Sequence, residues 1–278
     1  MNTGGVVRVK GKRRRRRKED YDSPLESLEK LMRAMSVDDG GSCVVGLIRG
    51  TSVWMRVTEF TSNCLGRCCV GRYMPSLDPA LVEAIAKVKR PGQAGEEGAA
   101  ENPGQGSWYR LCLEEAFFCV HCLHCLDLHD FEAVGSKISV EECWRRFVQL
   151  QPNFLKTYIS YQHFRGEGYI VKSGIYYGCT QVLYRAHPTV SHSEYCTLAI
   201  LQRTEEEGET RDKEIPYEDL QSLVRVSVNV KKKLVLLYIF LPTPDKCGCD
   251  VSDVNILQLV EVDEFAVTRW LPGSAPHG

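Results

Sequence analysis

The sequence lacks long apolar segments. Its longest uninterrupted apolar run is the stretch from Leu234 to Leu241, whereas a membrane-spanning helix needs roughly 18 or more such residues. The N-terminus also lacks the apolar core of a secretory signal peptide and carries basic residues instead. The sequence therefore predicts a soluble protein with no membrane partner.

Acidic residues are absent from residues 1–18, which hold nine Arg or Lys. The chain of 278 residues has 35 basic and 36 acidic residues, so its net charge of −1 conceals a +9 tail and a −10 remainder. Consecutive arginines repel one another, which predicts a disordered basic tail over residues 1–22. The run Lys10–Lys18 indicates a nuclear import signal and a nuclear protein that can have a cytoplasmic pool as well. A solvated tail that attracts RNA without specificity is the other interpretation.

Disulfides are not expected, although the chain has 13 cysteines. The odd count and the missing secretory signal favour free thiols in a reducing compartment. The densest group of zinc-type ligands is Cys119, His121, Cys122, His124, Cys125 and His129. Their spacing scatters them around a helix, and free Cys behaves as a small apolar side chain in cores. We interpret the group as structural, with a zinc site as the alternative, and expect no metal or cofactor.

An apolar content of 43% and the length of the chain predict about two domains of mixed α/β class. The first domain is expected at residues 23–150, with a flexible Gly- and Pro-rich insertion at 89–107. Periodicity and turn residues predict its elements. They are a helix from Pro24 to before Asp38, two strands within 43–57, a helix at 78–88, a strand at 108–112, and helices at 114–126 and 140–149.

The second domain is expected at residues 151–272, followed by a short tail at 273–278. It begins with a helix from Phe154 to Arg165, and Gly174 is predicted to form a hairpin turn. The predicted strands are 169–172, 176–185, 195–202, 234–241 and 256–262, with a helix at 216–229 between the third and fourth.

Five sequence segments resemble the catalytic subunits of tRNA-intron endonucleases. They are Y-Q-H-F-R-G-E-G-Y-I-V-K-S-G-I-Y-Y-G from Tyr161, Q-V-L-Y-R from Gln181, H-S-E-Y from His192, R-V-S-V-N-V-K-K-K-L from Arg225 and W-Y-R-L-C-L-E-E-A-F-F from Trp108. Among eukaryotic members the sequence is most similar to the subunit assigned to the 5′ splice site, and to the plant forms of it. The resemblance implies a restriction-nuclease-like mixed sheet in the second domain.

The resemblance also implies a reaction in which the 2′-hydroxyl of RNA attacks the adjacent phosphorus, leaving a 2′,3′-cyclic phosphate and a 5′-hydroxyl. This displacement needs a base, an acid and a positive charge at the phosphorane. The family supplies a Tyr, a His and a Lys without metal, and the matching positions are Tyr184, His192 and Lys232. From the residues alone, Tyr184 is a packing tyrosine and His192 is a solvent-facing histidine. His163 and His187 are the other candidates for the acid, but neither lies at the position of the family's catalytic histidine.

A further pair matches the family's base-binding residues, Arg225 and Trp270. In the family, an Arg and an aromatic residue from a neighbouring subunit sandwich a flipped-out base at the cleavage site. The alternative is that Trp270 packs the C-terminus and Arg225 forms a surface ion pair.

The expected partners are precursor tRNA and the other subunits of a heterotetramer, one of them catalytic and two not. Strand 256–262 and the apolar run 234–241 are the candidate assembly surfaces. Two alternatives remain: a non-catalytic structural or RNA-binding subunit of the same complex, or a zinc-dependent nucleic-acid-binding protein. The presence of all three matching catalytic residues argues against the first.

Overall fold

The computed structural model describes residues 22–37, 43–76, 78–88, 106–133, 136–203, 215–242 and 250–267. These residues form seven α-helices and two five-stranded mixed sheets, which confirms the predicted α/β class. None of the described helices has the length and apolar character that a membrane crossing requires. Residues 1–21 of the predicted basic tail, most of the 89–107 insertion and Trp270 lie outside the described residues.

The first sheet has the strand order β3-β4-β2-β1-β5 and lies in the N-terminal half. Its strands are antiparallel except for the β1–β5 pair, which is parallel. The strands are β1 Val44–Arg49, β2 Ser52–Val57, β3 Arg72–Met74, β4 Ser107–Leu111 and β5 Leu126–Asp130. The helices of this half are α1 Pro24–Val37, α2 Glu59–Cys68, α3 Pro79–Lys87, α4 Leu113–His121 and α5 Val140–Leu150.

The second sheet has the order β10-β9-β8-β7-β6, with β8 and β9 parallel and the other pairs antiparallel. Its elements are α6 Phe154–Gly166, β6 Ile170–Ser173, β7 Gln181–Tyr184, β8 Tyr195–Arg203, α7 Tyr217–Asn229, β9 Lys233–Leu241 and β10 Glu261–Val267. Helix α7 is the crossover between β8 and β9. Strand β9 is continuously apolar because both of its faces are covered: Leu237 faces the main core, and Leu236 faces α7.

An aromatic cluster joins the two halves of the chain. Phe117 of α4 lies 5.2 Å from Trp144 of α5 and 4.9 Å from Tyr158 of α6 between ring centroids. Phe147 and Phe154 complete the cluster with edge-to-face contacts. Such aromatic pairs add about 0.5–1.5 kcal/mol each beyond area burial. One continuous core therefore extends from the first sheet to the second.

The helix predicted over 114–126 is wrong in its second half. Helix α4 ends at His121, and His124 adopts a left-handed backbone with φ 49°. The chain then enters β5, which pairs in parallel with β1 from Val44↔Leu126 onward. This distant pairing competes with the local helical periodicity and wins. Helix α2 and strand β3 are two elements that the sequence pattern does not predict.

Two predicted strand boundaries in the second domain are wrong. The predicted hairpin turn at Gly174 is followed by a 3₁₀ turn, Ile175–Tyr177, so that β7 begins only at Gln181. Likewise Val254–Gln258 forms a 3₁₀ turn that begins at the capping side chain of Asp253. The last strand, β10, therefore starts at Glu261 and not at residue 256, and it is an edge of the sheet.

Candidate active site

The three predicted catalytic positions lie at one end of adjacent strands. Tyr184 ends β7, His192 precedes β8 and Lys232 precedes β9. The backbone ties these ends together: the amide of Glu194 donates to the carbonyl of Leu183 at 2.9 Å, and the amide of Lys233 donates to that of Glu194 at 2.9 Å. Strand pairing therefore brings together three positions that span 49 residues in the sequence.

The C-terminus of α7 fixes the direction of the lysine run. Lys231 has a left-handed φ of 56°, its amide donates to the Val228 carbonyl at 3.0 Å, and the amide of Lys232 donates to Ser227 at 2.8 Å. These two bonds form a Schellman motif, in which glycine is the usual left-handed residue. The turn separates Lys231 from Lys232, so that only Lys232 is half-buried while Lys231 and Lys233 are exposed.

The ammonium group of Lys232 has two partners. It donates a hydrogen bond of 3.1 Å to the carbonyl of Ser193, the residue after His192. It also lies 5.1 Å from the ring centroid of Tyr177, within the range of a cation–π interaction. Lys232 is thereby held next to the backbone that carries His192.

A groove of 650 Å³ opens at this point. His192 is exposed on its wall, and Glu194 on the same wall already pairs with Arg185 at 2.9 Å. The groove is therefore positively charged and suits an anionic substrate. Its lining side chains include Tyr177, His192, Glu194, Lys231, Lys232 and Lys233.

Tyr184 lies beside this groove and does not line it. Its half-buried side chain packs on the α7 side of the sheet, in the same apolar cluster as Tyr177, Val182 and Cys196. The structure thus brings His192 and Lys232 into one groove and places Tyr184 on the adjoining sheet face.

Sequence reasoning missed two neighbours of this groove. Tyr177 is brought to Lys232 by the 3₁₀ turn, which the sequence pattern had suggested to be a strand. Cys196 is buried beneath the groove, where a hydrogen bond from Cys179 lowers the pKa of its thiol and Lys232 adds a smaller electrostatic effect. The Tyr-Tyr-Gly sequence before β7 is the sequence feature that points to a turn at Tyr177.

The two competing histidines have structural partners elsewhere. Nε2 of His163 lies 2.5 Å from a carboxylate oxygen of Glu264 and ties α6 to the edge strand β10. Nε2 of His187 lies 3.0 Å from the carbonyl of Gly66 at the end of α2, and its Nδ1 lies 2.8 Å from Thr189. Neither side chain lines the groove that holds His192.

Arg225 lies away from this groove, exposed on α7. It lines a second groove, of 590 Å³, together with Tyr217, Val224 and Val267. Trp270 follows Val267 by three residues and lies outside the described part of the chain. The structure therefore gives Arg225 an open groove, and the pairing of Arg225 with Trp270 stays a prediction.

The Cys and His group of α4 does not converge on one point. Cys119 and Cys125 are buried in the core, His124 is exposed, and His129 lies on β5. A hydrogen bond with Cys125 and burial raise the pKa of the Cys119 thiol well above its usual value. Within the described residues, the one set of three side chains close enough to share a cation is His163, Glu167 and Glu264. This geometry favours the structural interpretation of the cysteines.

Residues 154–245 match the sequence profile of the tRNA intron endonuclease catalytic C-terminal domain. Across 82% of its length the chain is 28% identical to the tRNA-splicing endonuclease subunit Sen2-2 of Arabidopsis thaliana, covering 76% of that protein.

The chain is also 34% identical to the Sen2 subunit of Gallus gallus over 59% of its length, and 26% identical to the SEN2 subunit of Saccharomyces cerevisiae over 57%. It spans only 34% of the chicken protein and 40% of the yeast protein. The chain therefore spans less than half the length of each of these two relatives.

Proposed function

We propose that the chain is a catalytic subunit that removes introns from precursor tRNA. The proposal is supported by the match of residues 154–245 to the catalytic-domain profile and by the similarity to Sen2-type subunits. The chain cuts by attack of the 2′-hydroxyl on the splice-site phosphate, without a metal. The observation that carries this proposal is the positively charged groove in which His192 lies beside Lys232.

The environments of Lys232 and His192 support the roles proposed for them. The ammonium group of Lys232 provides the charge that stabilises the phosphorane oxygens, and its bond to Ser193 keeps it preorganised. The exposed imidazole of His192 protonates the leaving 5′ oxygen. Tyr184 is the base for the 2′-hydroxyl. Because its side chain is half-buried beside the groove, substrate binding has to bring the ribose to it.

The assembly belongs to the same proposal. The chain works in a heterotetramer with one other catalytic and two non-catalytic subunits, and β10 offers an exposed edge for pairing. Arg225 and Trp270 hold an unpaired base at a neighbouring subunit's site. The Lys10–Lys18 segment directs the protein to the nucleus, which a fusion of residues 1–22 to a fluorescent protein tests directly.

The test is junction cutting by the reconstituted complex, with Lys231→Ala as the control. Tyr184→Phe, His192→Ala and Lys232→Ala should each lower single-turnover cleavage at one junction by at least about 10²-fold, the usual size of an acid–base contribution. Lys231→Ala removes the same charge as Lys232→Ala and should keep most of the activity. If all three variants cut both junctions normally, the chain is a structural or RNA-binding subunit instead.

A further inference from the structure

The outer face of the first sheet is only partly covered. Helix α3 covers its β1 side, where Leu47 packs against Ala84 and Val88, whereas β2, β4 and β3 leave it more open. On β2, Val53, Met55 and Val57 are buried, whereas the alternate residues Trp54 and Arg56 are half-buried on the opposite face. The same alternation continues on β4. There Tyr109 and Leu111 are buried while Arg110 is exposed.

Strand register arranges arginines and tryptophans on this outer face. One row across the sheet is Trp54, Arg110 and Arg72, and the next row is Arg56, Trp108 and Met74. Paired residues in antiparallel strands project from the same face, so these six side chains form one surface, here called the Arg–Trp face. It has three arginines, two indoles and no acidic residue.

Two of the arginines carry charge that no carboxylate of the described residues neutralises. Arg72 and Arg110 are both exposed, and they are direct cross-strand partners, an arrangement of like charges that is unfavourable by itself. The guanidinium of Arg110 lies 5.9 Å from the Trp54 ring centroid. Arg56, the third arginine, lies against Gly106.

The nearest carboxylates are engaged elsewhere. A cleft of 470 Å³ begins at Arg72 and Arg110 and includes Glu114 and Glu115. Glu114 accepts hydrogen bonds from Thr157 at 2.6 Å and from Gln151 at 2.7 Å. Glu115 accepts from the amide of Cys112 at 3.2 Å. Among the described residues, this arginine pair therefore has no carboxylate counter-charge.

We infer that the Arg–Trp face binds RNA outside the catalytic groove. Arginine guanidinium groups match phosphate geometry, and indole faces stack unpaired bases of any identity. A protein whose charge outside residues 1–18 is −10 needs such a local basic surface to hold a polyanion. The inference rests on the proposed function in taking RNA as the ligand, and it adds a second contact with the substrate on the first sheet.

The experiment measures binding of intron-containing precursor tRNA to the full-length chain in its complex, at several salt concentrations. Arg72→Gln/Arg110→Gln should weaken binding by more than about tenfold at roughly 0.1 M salt. It should also lower the slope of log K against log salt by about 1.5, since two phosphate contacts are lost. Arg33→Gln/Arg145→Gln removes the same charge from two other exposed positions and should change neither quantity.

A second variant separates stacking from charge. Trp54→Leu should weaken binding while leaving the salt slope unchanged, because stacking releases no counterions, and Trp54→Phe should restore most of the affinity. Thermal unfolding of each variant checks that the sheet is intact.

The inference is overturned if Arg72→Gln/Arg110→Gln binds precursor tRNA with the affinity and the salt dependence of the wild type. Failure of that variant to enter the complex would overturn it as well, because the face would then be a protein interface. Cleavage by the wild-type complex, measured in the same preparations, reports separately on the proposed function.

Discussion

Three consecutive lysines follow α7, and backbone geometry distinguishes them. Lys231 occupies the left-handed position of the Schellman motif, which costs an L-residue roughly 1–2 kcal/mol. That turn directs Lys232 toward Ser193 and Tyr177, while Lys233 enters β9 as the partner of Tyr195. A run that has no internal distinction in the sequence thus acquires three different roles.

Replacing Lys231 by glycine tests whether the turn is strained. Glycine adopts the left-handed conformation without strain but loses more chain entropy on folding. We expect Lys231→Gly to raise the free energy of unfolding by up to about 1 kcal/mol, measured by urea denaturation, with cleavage retained. Lower stability would contradict the strain, and loss of cleavage at wild-type stability would mean that Lys231 serves the site.

At the scale of elements, the end of α2 is where the two sheets are joined. Three basic side chains of the second half reach its last carbonyls: His187 lies 3.0 Å from that of Gly66, Arg165 donates to Cys68 at 3.1 Å, and Lys172 donates to Cys69. Positive groups are favoured at a helix C-terminus. The His187 contact holds the loop between Tyr184 and His192 against α2.

Arg165 is the most buried member of this set. Its side chain is fully buried, its Nε donates to the hydroxyl of Tyr161 at 3.0 Å, and its Nη2 lacks a hydrogen-bond partner among the described residues. We expect Arg165→Met to destabilise the protein by about 2–4 kcal/mol, because the Cys68 carbonyl and the Tyr161 hydroxyl lose their donor. Urea denaturation measures this. Unchanged stability would show that the buried guanidinium of Arg165 stabilises the fold no more than an apolar side chain of similar volume does.

The stability that Asp130, at the end of β5, contributes to the protein should depend on pH. A backbone bond from Glu132 lowers the pKa of Asp130, and Arg146 at 2.6 Å lowers it further. A carboxylate with a lowered folded-state pKa contributes stability above its unfolded value near 4, and this is lost as the pH falls through the folded value.

Asp130→Asn should therefore be less stable than wild type at about pH 7, with the difference shrinking below about pH 4. Unfolding free energies of both proteins, measured between neutral pH and roughly pH 2, give this difference in stability. A difference that stays constant over this range would exclude the ionised carboxylate as the cause.

The sequence pattern predicts α6, α7 and the central strands because their apolar periodicity agrees with their burial. It fails where distant pairing decides. Strand β5 exists because β1 lies beside it, and β3 exists because residues 72–74 pair with β4. Within the candidate site, the family motifs predict His192 and Lys232. The position of Tyr177 beside Lys232 depends on the 3₁₀ turn, which the sequence pattern does not predict. The outer face of the first sheet likewise depends on register between strands that sequence alone does not align.

At the scale of the whole molecule, charge is segregated more than the net value of −1 suggests. From Lys156 to Arg203 there are five basic residues and two acidic ones, and the acidic residues gather in 204–214. Basic side chains also line the groove of His192 and Lys232 and the Arg–Trp face. If the proposed function holds, affinity for tRNA should come from these local sites together with partner subunits, since the chain has no net positive charge.

The edge of the second sheet offers a surface for assembly. Strand β10 pairs only with β9 among the described strands, and Phe265 on it is 53% exposed. An exposed aromatic residue on a free edge suits pairing with another subunit. The proposed heterotetramer would cover this edge.

The proposed reaction cuts RNA through the substrate's own 2′-hydroxyl. The most direct measurement gives the assembled complex, in EDTA, a precursor tRNA with a single 2′-deoxy nucleotide on the 5′ side of the scissile phosphate. We expect the unmodified precursor to be cut to a 2′,3′-cyclic phosphate and a 5′-hydroxyl, while the deoxy precursor stays intact at that junction. Cutting of the deoxy precursor, or loss of all cutting in EDTA, would contradict it.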